Sequence, residues 1–329
     1  MNSLELFKTQ KFYQIDISIL KDLGYDVLLS NRIFDSLLFW KYDILFSYFY
    51  RYSFFAALLA KCFGKKTYFT GGIDSLDSDY ASAFNYKIQA LFFKLCYWVA
   101  DSCIIVSQSD LKNIFKVSSL KKKLSYSEHV INTKLFIADV PKEKIFTSIV
   151  WMGDEGNVVR KGVDKALQIF AELKKIPEFV DYRFVIIGRK GEGEVLVRSI
   201  IDRYHLKGSV ELKGEVSEED KINLLKQSKY YFQLSLYEGF GLAALEALCA
   251  NNIIIHSGKG GLANPIYKEQ LLFDIDNDFD SELLKLVNKL ACFTPITSYD
   301  NLLEYYDIQR RKDDFEAIIV NGKSNYKLK

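Results

Sequence analysis

Residues 209–257 read SVELKGEVSEEDKINLLKQSKYYFQLSLYEGFGLAALEALCANNIIIHS. Three short β-rich runs, SVELKG (209–214), YYFQLS (230–235) and IIIHS (253–257), alternate with EEDKINLLKQS and GLAALEALCA, whose apolar residues recur at helical spacing. Ser217, followed by Glu218, Glu219 and Asp220, reads as an N-cap with acids in the first helical turn. The alternation extends upstream through SIVWM (148–152) and FVIIG (184–188), with VDKALQIFAELKK and GEVLVRSIIDRYHL between, and downstream to LLFDI (271–275). Such a pattern implies a parallel sheet covered by helices on both faces. Ligands on these sheets sit beyond the carboxyl ends of the strands, which is where chemistry should be sought.

The first half repeats the pattern less cleanly. YDVLLS (25–30), DILFSYFY (43–50), KTYFT (66–70) and DSCIIVS (101–107) read as strands, and SLELF (3–7) as a candidate first strand. Helices are expected near 10–23, 51–63, 82–100 and 108–117, and residues 131–147, with Pro141, form the crossing point. The chain of 329 residues is too long for one ordinary core. We therefore expect two α/β domains facing each other across a cleft: 1–146, then 147–296. A late polar helical segment, 297–329, is placed to pack back on the N-terminal domain.

Composition narrows the function. With 49% hydrophobic and 26% charged residues the chain is neither disordered nor collagen-like. A net charge of +2 argues against a protein built to neutralise nucleic-acid phosphates. The halves differ: residues 1–146 hold 19 Lys+Arg against 14 Asp+Glu, a balance of +5, and the remainder balances at −3. Five scattered cysteines (Cys62, Cys96, Cys103, Cys249, Cys292) without a CxxC pair favour reduced thiols in a cytosol. The beginning, MNSLELFKTQKF, lacks the apolar core of a signal peptide, and no run is long enough for a transmembrane helix.

The strongest local signal is YEGFGLAALEAL (237–248). Glu238 follows a strand, Gly239 and Gly241 make the turn, and a helix begins at Gly241 or Leu242. The first free N–H groups of that helix, with the positive end of its dipole, form an anion site. Glu246 lies about 7 Å along the axis, at about 1.5 Å per residue. A phosphate at the helix start thus leaves a ribose-sized group within its reach. A second candidate is VVRKGVD (158–164), where Arg160 and Lys161 precede Gly162 at a helix start. Fixed cations at a helix start suit a negatively charged ligand.

These motifs resemble family 4 glycosyltransferases, retaining enzymes of the GT-B fold, through their E-x7-E signature. The likeness runs from about residue 148 to 267, through SIVWMGDEGNVVRKGVDKAL, FVIIG, VELKGEVSEEDKINLLKQS, LSLYEGFGLAALEAL and IIIHSGKGGL in family order. TGGID (70–74) and VINTKLF (130–136) are the only echoes in the first half. The resemblance implies that Glu246 holds the ribose of a nucleotide-sugar and Glu238 the donor sugar. The amides of Phe240, Gly241 and Leu242 would face the sugar and diphosphate, and Gly214, Glu215 and Val216 the nucleobase. Lys161-Gly162 matches the family's Lys-Gly, whereas Gly153 is followed by Asp154 where relatives carry an Arg. Either Arg160 takes that role from a longer loop, or one cation is missing. Asp74 matches the acceptor-side domain's carboxylate or histidine near the donor sugar, and an Asx turn is the competing reading.

The expected function is retaining transfer from a UDP- or GDP-type sugar to a glycan or lipid-linked acceptor in cell-surface polysaccharide assembly. The expected location is the cytoplasm or the cytoplasmic face of a membrane, with no cofactor, metal or nucleic acid. The DxD triplets Asp77-Ser78-Asp79 and Asp276-Asn277-Asp278 read as surface loops, and the three histidines form no ligand spacing. A silent GT-B scaffold and a GT-B epimerase or phosphorylase stay open as alternatives. Aromatics crowd residues 34–55 and 84–98. They suit either an ordinary core or, with the basic balance, a peripheral membrane contact.

Overall fold

A computed structural model describes residues 3–119, 121–137, 140–293 and 300–323. The chain divides into two compact units, Met1–Asn132 with Glu304–Lys329, and Thr133–Leu303.

In the first unit β1 (Ile44–Tyr48), β2 (Lys66–Thr70), β3 (Ser102–Ile105) and β4 (Leu124–Tyr126) pair in parallel, in the order β1-β2-β3-β4. Each connection carries a helix: Phe54–Cys62, Ala83–Val99 and Gln108–Val117. Strand order never reverses here, so right-handed crossovers set all three helices on one face. Side chains alternate across the pleat accordingly. Phe69, Cys103, Ile105 and Leu124 pack with Phe54, Ala57, Phe93 and Cys96 on that face. Tyr68, Ile104 and Phe46 meet Ile19 of the Lys11–Asp22 helix and Phe315, Ile318 and Ile319 on the other. The late segment thus covers the second face of the first unit's sheet, through the Ile308–Phe315 helix and the turn Glu316–Val320. Residues 297–299 and 324–329 of that segment lie outside the described residues.

Two expected strands are absent. SLELF belongs to a helix, Ser3–Thr9, with Glu5 in its first turn and Lys8 in its last, both favoured by the helix dipole. Residues 25–30 form no strand, and Leu28 and Leu29 are exposed. Short apolar runs suit either period, and here no neighbouring strand supplied a ladder.

The second unit has six parallel strands: β5 (Glu143–Ile149), β6 (Arg183–Ile187), β7 (Val210–Gly214), β8 (Ser228–Gln233), β9 (Ile253–His256) and β10 (Leu271–Leu272). Their order is β10-β9-β8-β5-β6-β7. A boundary at 146/147 would cut β5 in two, and the unit begins instead at Thr133. The strands read as apolar runs because both faces are buried. Phe146, Phe184 and Phe232 face Leu167 and Phe170 on one side, and Ile145, Val185 and Ile187 face Leu224 on the other. Strand order reverses between β5 and β8. That is the topological switch point, where two connections leave in opposite directions and open a crevice.

Candidate active site

The connections that leave β5 and β8 are fastened to each other. After β5 the chain forms a short helix, Glu155–Arg160, capped by Asp154, and then turns at Lys161-Gly162. Gly162 has φ +68, and a Cβ there would stand 2.0 Å from the carbonyl oxygen of Leu234. Only glycine lets these backbones meet so closely. The Leu236 N–H donates to the Arg160 carbonyl at 2.8 Å, which completes the junction.

Lys161 and Glu238 meet at this junction. Lys161 Nζ donates to Glu238 Oε1 at 2.5 Å, and the two side chains are 21% and 12% exposed. The same oxygen accepts from Gln233 Nε2 and from Ser235 Oγ, each at 2.8 Å. Three donors on one oxygen hold the carboxylate in a single orientation at the end of β8. Sequence reasoning missed Gln233 and Ser235. Their signal was two polar side chains, five and three positions before Glu238, where the strand is otherwise apolar. The SGKGG loop after β9 backs the turn, with Gly261 N–H donating to the Glu238 carbonyl at 2.6 Å.

Gly241, at φ +89, begins the Leu242–Cys249 helix, and no side chain caps it. That helix start follows Glu238 by three residues in the chain, and its first-turn amides and dipole suit an anion. Phe240 is buried behind the turn. Glu246 lies on the buried side of this helix, 5% exposed. Its Oε2 accepts from Lys221 Nζ at 2.6 Å, and Lys221 also reaches Glu218 at 3.1 Å. Lys221 comes from the Glu218–Gln227 helix and had no sequence signal, because only the fold brings that helix beside Leu242–Cys249.

Arg160 is placed differently. Its guanidinium turns back along its own helix to Asn157 Oδ1 at 2.8 Å, and Asn157 in turn donates to the Trp151 carbonyl. Lys161, not Arg160, is the cation that touches Glu238. Gly214 ends β7 with φ +76, Glu215 is exposed, and Val216 lines a groove of about 510 Å³ with Glu211, Lys213, Asp220, Asn223 and Gln227. This groove borders the same Glu218–Gln227 helix that carries Lys221.

Asp74 belongs to the first unit, on the turn Asp74–Leu76 beyond β2, and is exposed. Beneath that turn Asp110 is fully buried, and its Oδ1 accepts from the Ile73 N–H at 3.2 Å. Burial, and secondarily the charge of Asp74, pushes the Asp110 carboxyl up to about 7. Asp278 caps the Phe279–Cys292 helix by accepting from the Ser281 N–H at 3.0 Å. His256 is buried in β9, where burial pushes its pKa down to about 4.

Comparison with known proteins places the chain among similar sequences and folds. Residues 156–290 match the family model described as "Glycosyl transferases group 1". The GDP-mannose:cellobiosyl-diphosphopolyprenol alpha-mannosyltransferase of Xanthomonas oryzae pv. oryzae (strain PXO99A) is 32% identical over 163 residues, 43% of this chain and 40% of that protein. The phosphatidylinositol N-acetylglucosaminyltransferase GPI3 subunit of Saccharomyces cerevisiae is 27% identical over 129 residues, 39% of this chain and 28% of that protein. The chain thus spans less than half the length of either relative. Among solved structures, Anabaena Alr3699/HepE in complex with UDP superposes with a TM-score of 0.68 at 13% identity, over 87% of this chain and 81% of that one. Its complex with UDP-glucose gives 0.67 at 12% identity, over 93% and 88%. The fold is GT-B, an α/β architecture with two parallel-sheet domains.

Proposed function

We propose that this chain is a retaining glycosyltransferase of the family 4 type. It would move a sugar from a UDP- or GDP-type donor to a glycan or lipid-linked acceptor, in cell-surface polysaccharide assembly on the cytoplasmic side. One observation carries the reading: Lys161 and Glu238 are joined at the switch point beside an uncapped helix start. A diphosphate at that start would receive the Leu242-side amides and the helix dipole, with Lys161 as its side-chain cation. The resemblance implies no metal in that role.

In the reaction the anomeric carbon–oxygen bond to the diphosphate breaks, and the acceptor oxygen bonds to the same carbon from the same face. The acceptor proton passes to the departing phosphate oxygen. Negative charge on the diphosphate grows as this proceeds, so Lys161 gains more in the transition state than in the ground state. Glu238, held by three donors, presents its other oxygen to the hydroxyls of the donor sugar. Glu246 would take the ribose hydroxyls, with the hydrogen bond from Lys221 orienting its carboxylate. Asp74 is the carboxylate we place nearest the sugar from the first unit. The name of the Xanthomonas relative, which uses GDP-mannose on a diphosphopolyprenol-linked acceptor, supports this choice of donor and acceptor class.

A thermal-shift panel of nucleoside diphosphates tests the reading. A ligand at 100 times its Kd adds about 2.7 kcal/mol of stability. A shift with UDP or GDP is expected, and the absence of any shift would refute the nucleotide site. Transfer or slow donor hydrolysis with the binding nucleotide's sugars then separates an enzyme from a silent scaffold.

A further inference from the structure

The Ala83–Val99 helix buries Gln89, Phe93, Cys96, Tyr97 and Val99 against the first unit. Its outward side is unusual. Phe84, Lys87, Leu91, Lys94 and Trp98 follow one another at steps of three and four residues, which aligns them in a single stripe. Phe84 is 72% exposed, Leu91 55% and Trp98 70%, and both lysines are exposed. Large apolar side chains and cations thus alternate along the whole length of the helix.

The acid that follows the helix, Asp101, is paired with Lys61 at 2.9 Å. The helix contains no Asp or Glu, and neither does the adjoining Phe54–Cys62 helix, which exposes Phe55. The turns Ile33–Leu37 and Phe39–Lys41 add exposed Phe34 and Trp40. The aromatic surplus of the first half is therefore divided. Tyr50, Phe54, Phe69 and Phe93 make core, and the remainder named here faces outward.

We propose that this stripe is a membrane-docking surface that lies in the plane of an anionic lipid headgroup layer. No helix among the described residues is long and apolar enough to cross a membrane, which leaves in-plane contact as the membrane mode for this one. Phe84, Leu91 and Trp98 enter the boundary between headgroups and acyl chains, and Lys87 and Lys94 pair with lipid phosphates between them. The interleaved lysines choose the occupant. Lysine is depleted from the cores of protein interfaces, and a second copy meeting this face by two-fold symmetry would set lysine against lysine. An anionic surface complements both the charge and the apolar residues. The inference is independent of the proposed glycosyl transfer.

Flotation of the full chain with phosphatidylcholine vesicles, with and without phosphatidylglycerol, tests it. Binding is expected to the anionic vesicles, weakened by raising salt from about 0.1 M to about 0.5 M. Lys87→Gln/Lys94→Gln should lower partitioning about twenty-five-fold, at about fivefold per lost charge. Leu91→Ser/Trp98→Ser should abolish flotation while the thermal unfolding curve keeps its wild-type midpoint. A wild-type chain that ignores anionic vesicles, or variants that float as well as it does, would overturn the proposal. So would a concentration-dependent dimer that Leu91→Ser/Trp98→Ser dissociates. UDP and GDP thermal shifts on the same samples report the nucleotide site separately, so either proposal can fail alone.

Discussion

Lys161 Nζ and Glu238 Oε1 stand 2.5 Å apart and tie the connection after β5 to the connection after β8. Both residues belong to the walls of the switch-point crevice, so this ion pair is also part of its geometry. Replacing Lys161 by Ala removes the cation but leaves Gln233 and Ser235 on the carboxylate. Turnover should then fall by about a hundredfold or more, as for other single electrostatic stabilisers. Affinity for UDP or GDP should fall less. Comparing kcat with a nucleotide Kd measured by calorimetry checks this, and equal losses in both would contradict a leaving-group role.

Glu246 and Lys221 make a second charged pair on the same wall. Removing Glu246 should deprive a nucleotide of a charge-assisted hydrogen bond, which is about 1.5–3 kcal/mol. We expect Glu246→Ala to weaken UDP or GDP binding about tenfold to a hundredfold. Fold is not at stake, because Lys221 retains Glu218 at 3.1 Å. Isothermal titration against the stronger-binding nucleotide is the measurement, and undiminished affinity would remove Glu246 from the site.

Gly162 is the mechanical fastening beneath Lys161. A methyl group there meets the Leu234 carbonyl oxygen at 2.0 Å, and the φ of +68 is costly for any residue with a Cβ. Gly162→Ala should therefore destabilise the second unit by about 3 kcal/mol, combining backbone strain with forced displacement. Urea unfolding followed by far-ultraviolet circular dichroism would show it. Nucleotide binding should weaken as well, since Lys161 moves with its neighbour.

Asp110 predicts a pH dependence in the first unit. Its folded carboxyl titrates at about 7, above the ordinary 3.8, because burial disfavours the anion. The unfolded chain therefore releases this proton at lower pH than the folded one. Stability from the neutral carboxyl is fully present below pH 4, declines from about pH 4 to 7 and levels off above that. The fall should be on the order of 4 kcal/mol for a fully buried group. Asp110→Asn keeps an acceptor for the Ile73 N–H and cannot ionise. Its unfolding free energy should lack this decline, which chemical denaturation at pH 4.5 and about pH 8 would reveal.

The second unit was the more legible because its strands are buried on both faces and read as unbroken apolar runs, as in FVIIG and IIIHS. Glu238, Glu246 and Lys161 were legible for another reason: Glu238 and Lys161 adjoin glycine turns in the chain itself, and Glu246 follows one of them along the same helix. Lys221 was not, since only the fold brings its helix beside that of Glu246, and Gln233 and Ser235 were hidden as two polar residues in an otherwise apolar strand. In the first unit, SLELF carries too few residues for either period to win, and it forms part of the helix Ser3–Thr9. The aromatic stretches mixed core and surface because helical spacing there assigns apolar residues to both sides of one helix.

A contact between residues far apart in the chain yields the last prediction. Arg311 is fully buried and donates through Nε to Asp16 Oδ1 at 2.6 Å and through Nη2 to Asp16 Oδ2 at 2.9 Å. Its Nη1 reaches the Ser127 carbonyl at 2.5 Å, and Tyr48 Oη donates to Asp16 Oδ2 at 3.0 Å. This pair pins the Ile308–Phe315 helix to the Lys11–Asp22 helix over the second face of the sheet. A buried pair costs much of its Coulomb energy in desolvation, so its net worth is small, but stranding one partner is expensive. Asp16→Asn should thus destabilise the first unit by about 3–5 kcal/mol. Asp16→Leu/Arg311→Met, which removes both charges, should cost clearly less. Tryptophan fluorescence can assign the losses, because Trp40 and Trp98 report the first unit and Trp151 the second. If the double variant were as unstable as Asp16→Asn, the ion pair would itself carry that stability, and the packing of Phe315, Ile318 and Ile319 alone would not hold the segment.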